Sequence, residues 1–126
     1  MSELEKLNRA VNRALRELNG VAVAVASVSW SKRRNALDEI TQALTHLDAM
    51  QRLIYADDPQ LEYHYDSNRP PSAAMTILAR LADEAEDQIG RGDLLGAKKT
   101  LQRALELEPP PFAYETIEKR LNSLKE

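Results

Sequence analysis

Apolar residues recur at steps of three and four along most of the chain, and that spacing confines it to helices. The clearest run is Leu37, Ile40, Leu44, Leu47, Met50 and Ile54, inside residues 32–56. Leu4, Leu7, Val11, Leu15 and Leu18 follow the same rule over residues 2–19. Ser2 is placed to cap that helix, with Glu5 three residues on to complete a capping box. Residues 72–90 place Met75, Leu78, Ala82, Ala85 and Ile89 on one stripe behind a Ser72 cap. Residues 93–108 do so with Leu94, Ala97, Leu101, Ala104 and Leu105 behind Asp93, and residues 112–125 with Phe112, Ile117, Leu121 and Leu124. Ser31 is the expected cap of the 32–56 helix. Breakers separate the segments: Asn19-Gly20, Asp57-Asp58-Pro59, Gly90-Arg91-Gly92 and Pro109-Pro110-Pro111. The expected fold is all-α, a compact bundle of five or six helices.

Residues 21–30, Val-Ala-Val-Ala-Val-Ala-Ser-Val-Ser-Trp, are the least ordinary stretch. The alternation of valine and alanine is a strand pattern, yet no second strand exists for it to pair with. A packed helix fits the rest of the chain better, either continuing the first helix across Gly20 or beginning a second. The run is apolar all round and needs a cover, which makes it the expected contact of a homodimer.

With 126 residues the chain is one domain's worth of sequence. It divides into an N-terminal helical pair (1–56), a long aromatic-containing loop (57–71) and a C-terminal helical part (72–126). The absence of cysteine removes disulfides, thiol nucleophiles and thiolate metal sites. With only His46 and His64, a three-histidine site is excluded as well. No nucleophile-elbow, Walker or dinucleotide pattern occurs. His46 reads as a boundary residue beside its helix's apolar stripe. No cofactor is expected, and the protein is expected not to be an enzyme. The 17 basic and 20 acidic residues leave a net charge of −3, which argues against bulk capture of nucleic acid. The longest uncharged run, Gly20 to Ser31, is too short for a bilayer, so the expected setting is cytoplasmic.

Three clusters stand out. Tyr55, Tyr63, His64, Tyr65, Asp66 and Arg69 gather in and beside the loop, and tyrosine's apolar face and polar tip suit a recognition surface. The competing structural role is that the tyrosines only pin the loop to the helices while His64 is solvated. Asp83, Glu84, Glu86 and Asp87 crowd one stretch of helix and read as a solvated acidic face rather than a cation site. Trp30 with Lys32-Arg33-Arg34 could meet phosphate and base, or could simply guard an apolar run against aggregation.

Gly92-Asp93, Ala97, Leu101, Ala104-Leu105-Glu106-Leu107-Glu108 and Pro109 together resemble a tetratricopeptide repeat. Glycine allows the tight turn, alanines at 97 and 104 let helices approach, and proline ends the unit. The likeness covers about residues 77–110. Glu84 and Gln88 depart from the family's apolar and aromatic positions, and one unit is fewer than the three such repeats usually need. The resemblance implies a tetratricopeptide-like hairpin with a capping helix, and a protein-binding groove rather than catalysis. The expected function is a non-enzymatic helical protein–protein interaction module: an adaptor, scaffold or small regulatory partner of a protein or peptide. The alternative is a nucleic-acid-associated regulator using Trp30 and Lys32-Arg33-Arg34. A small-molecule-binding or catalytic bundle stands behind both, and no membrane contact is expected.

Overall fold

The structure, a computed structural model, describes residues 2–64 and 68–124. Among these residues five α-helices follow one another: α1 (Glu3–Ala26), α2 (Arg33–Asp57), α3 (Ala73–Gly90), α4 (Leu94–Glu106) and α5 (Pro111–Ser123). A 3₁₀ turn, Pro59–Leu61, lies between α2 and α3. The architecture is all-α, and no strand occurs among the described residues.

Helix ends follow local chemistry. The Glu5 N–H donates to Ser2 Oγ at 3.0 Å, the Met75 N–H to Ser72 Oγ at 3.1 Å and the Gly96 N–H to Asp93 Oδ1 at 3.0 Å. Each satisfies an amide that the first helical turn leaves without a partner. Gly92 closes the α3–α4 turn at φ +79°, a conformation open to glycine at little cost. Ser31 does not cap α2. Lys32 occupies that position and makes no side-chain cap bond.

Residues 21–26 continue α1 across Gly20, so the valine–alanine alternation runs around a helix. Alanine's helix preference and the lack of a pairing strand override the period of two.

α1 and α2 form an antiparallel hairpin of about equal arms. Its seam on α1 runs Leu4, Asn8, Val11, Leu15, Leu18, Ala22 and Val25, in steps of four and three. Asn8 therefore takes the inward place expected for Leu7, which is 43% exposed. Only Val11 and Ile54 are fully buried apolar residues of this hairpin; Leu37, Ile40, Leu44 and Leu47 are half-buried. Two helices by themselves cannot enclose a stripe, and a third layer lies along only one side of α1, from Asn12 at Glu108 to Asn19, Gly20 and Val23 beside Pro111 and Tyr114.

That layer is the body formed by α3, α4 and α5, where the main core lies. Leu78 and Ala85 of α3 meet Ala97, Leu101 and Ala104 of α4 and Ala113, Ile117 and Leu121 of α5. Ala85 and Ala97 are completely buried, which lets α3 and α4 lie close along their length. Leu94 and Phe112, which the stripes place inward, are 42% and 50% exposed. Leu94 is the first residue of α4, at the end of the line of Ala97, Leu101 and Ala104, and Phe112 stands one position beside the buried line of Ala113, Ile117 and Leu121. Ala82 is likewise exposed, because α5 stands off from that part of α3.

Hairpin and body are joined by polar side chains. Asn12 is 0% exposed, and its Nδ2 donates to the Glu108 carbonyl at 2.9 Å. Gln51 Nε2 donates to Asn12 Oδ1 at 2.6 Å and to Asn8 Oδ1 at 3.1 Å. The Glu108 carboxylate pairs with Arg13 and Arg16, and the Arg16 guanidinium stacks 3.9 Å over the Tyr114 ring.

Candidate functional site

α3 and α5 stand apart along one side of the body and leave an open apolar groove of about 300 Å³. Met75, Leu78, Ala79 and Ala82 line one wall, and Ala113, Thr116 and Ile117 the other. Asp83 adds a carboxylate to the lining. The alanines follow from helix spacing: Ala79 and Ala82 are three apart and share a face beside Leu78. Small side chains there let a backbone or a helix approach closely, as methyl groups do at helix crossings. The groove holds no nucleophile–base pair, and its chemistry is that of apolar contact with a polar edge. The sequence stripes place Met75, Leu78, Ala82 and Ile117 inward and leave Ala79, Ala113 and Thr116 unassigned; no local spacing signals that α3 and α5 stand apart and turn them to one groove.

The loop residues occupy other places. Tyr63 packs against the core and lines a narrow crevice with Asn8, Arg9, Ala74 and Ile77, on a different side of α3 from the groove. Tyr55 is half-buried on the same junction. Burial pushes the Tyr55 phenol from 10.0 up to about 12; the Asn8 hydrogen bond works against that and the Glu62 carboxylate adds to it. Burial also raises Tyr63, with Arg9 opposing and Glu5 assisting. His64 lines a recess with Pro59, Gln60, Arg69 and Ser72 at the N-terminal end of α3. Its Nδ1 is buried and has no hydrogen-bond partner among the described residues. Arg69 reaches both carboxylate oxygens of Glu62, at 3.4 and 3.2 Å. Tyr65 and Asp66 lie outside the described residues. Ser72 ties the loop down by donating to the Glu62 carbonyl.

The acidic stretch is exposed, and Glu86 accepts two bonds from Arg120 at 2.8 and 3.0 Å. That hydrogen-bonded guanidinium holds the Glu86 carboxyl below the usual range. No group of three ligating side chains able to hold a metal occurs among the described residues. At the hairpin tip, Trp30 is half-exposed, while Arg33 turns back to donate to the Ala26 and Val28 carbonyls at 3.3 and 3.5 Å. One cation of the basic triplet thus closes the C-terminal end of α1. Among the described residues, no helix is long and apolar enough to cross a membrane.

This arrangement defines a five-helix all-α bundle with an open apolar groove. Comparisons with family models, curated proteins and solved structures find no match for the chain.

Proposed function

We propose that the chain is a non-enzymatic protein–protein interaction module and that the α3/α5 groove receives a partner's peptide or helix. The groove itself carries this reading: it is apolar, open to solvent and floored by small residues, the form that accepts an amphipathic helix through spaced anchors. The tetratricopeptide resemblance points the same way. It is supported by the left-handed Gly92, the Asp93 cap, the buried Ala97 and Ala104 and the end of α4 before Pro109.

Selection from a displayed peptide library tests the reading. Peptides with apolar residues at i, i+3 and i+4 should be enriched, and Ala82→Arg should weaken their binding at least tenfold. Tyr63→Ala in the same assay reports whether the loop contributes. No enrichment, or peptides indifferent to Ala82→Arg, would sink the groove as the receptor surface.

A further inference from the structure

The hairpin has a second apolar face that the body does not touch. On α1 the seam leaves Leu7, Ala14 and Val21 one position to its side, each seven residues apart. On α2 the corresponding flank carries Ala36, Ala43 and Met50, again seven apart. In an antiparallel pair these two flanks lie on the same side. The opposite flank, with Asn12 and Tyr55, faces the body through the Glu108 and Tyr63 contacts. All six side chains are uncharged. Leu7, Val21 and Met50 are 43%, 48% and 37% exposed, and the alanines are half-buried.

Positions flanking the seam of an isolated two-helix coiled coil normally carry charge, whereas helices of a four-helix bundle add a third apolar position to the two of the seam. Both arms show the second pattern. The outline of this side of the hairpin, rim included, approaches the size of a standard interface. A helix of 24 residues is about 36 Å long and two side by side span about 20 Å, offering about 700 Å². A standard interface takes about 800 Å² from each partner. Val28 and Trp30, each 50% exposed, extend the apolar surface at the tip. Glu17 and Glu39 flank the face as an exposed polar rim.

We infer that a second copy of this chain covers this face, so that two hairpins form a four-helix bundle with each body outside it. The homodimer contact expected at residues 21–30 then becomes one end of a surface running the length of both arms. This inference is independent of the α3/α5 groove.

Mass measurement by sedimentation equilibrium over a range of concentrations decides it. The full chain should approach twice its 14.2 kDa mass. Val21→Glu and Met50→Glu, both at solvated positions and at opposite ends of the face, should each return the mass to one chain while helix content by circular dichroism is retained. Ala49→Glu, on the outer side of α2, should leave the dimer intact. A single-chain mass for wild type at the highest concentration would overturn the inference, and so would a dimer that survives both glutamates. Peptide binding lost only in Ala82→Arg, with the dimer unchanged, would separate this surface from the groove.

Discussion

The Asn12 side-chain amide donates to the Glu108 backbone carbonyl at 2.9 Å, joining positions 96 residues apart in the sequence. The carbonyl needs a partner because Glu108 sits just beyond α4 in the left-handed region, at φ +50°, where the helix ladder has ended. Asn12 thereby docks the hairpin onto the body and is held in turn by Gln51.

Asn12→Leu should destabilise the fold by about 2–4 kcal/mol, because it orphans a buried carbonyl and removes one acceptor of Gln51. Urea unfolding provides the measurement. An unchanged midpoint would show that water replaces the amide and that this contact is not what joins the two parts.

Glu108 combines a left-handed backbone with two arginine partners, so backbone and charge can be separated. Glu108→Gly should be more stable than Glu108→Ala by about 1 kcal/mol, since both lose Arg13 and Arg16 but only alanine keeps the strain. Thermal melting of the pair, side by side, tests the order. Equal melting temperatures would remove backbone strain from the account.

Ala85 and Ala97 are 0% exposed where α3 crosses α4. Ala97→Leu should cost about 1–3 kcal/mol, because the extra carbons have no space unless the helices move apart. The same substitution at Ala82, exposed in the groove, should change stability little. Equal losses at the two positions would contradict the close crossing.

Tyr55 makes stability depend on pH at the alkaline end. Its phenol ionises at 10.0 when unfolded and near 12 when folded, so the unfolded chain loses the proton first. Stability is therefore fully present below pH 10 and falls as pH rises toward 12. Tyr55→Phe should flatten that fall and remove the latest step of the ultraviolet phenolate titration. A wild-type titration completed with all tyrosines ionising together near pH 10 would count against the buried placement.

Much of the fold is legible in the residues themselves because it depends on neighbours three or four positions away. Ser2, Ser72 and Asp93 cap helices through a side chain reaching an amide three residues on, and periodicity marks each helix. Leu7 and Phe112 show that a stripe one residue wide cannot tell a seam from its flank, and Leu94 that a stripe does not mark where its cover ends. Asn8, Asn12 and Gln51 are illegible for a different reason: their polarity says surface, and only polar partners far along the chain let them be buried. Tyr55, Tyr63, His64 and Arg69 form no common pocket with the groove, since the loop's path, not its composition, assigns them to the junction and the recess.

By itself the sequence determined that the chain is helical, where most helices begin and end, and that neither thiol chemistry nor a three-histidine metal site was open to it. Those outcomes follow from local propensity, capping and composition. The tertiary structure alone decided which apolar residues are enclosed and which remain at the α3/α5 groove and on the free face of the hairpin. Burial is a property of how helices are arranged, and that arrangement is set by contacts such as Asn12 with Glu108, which no window of neighbouring residues contains.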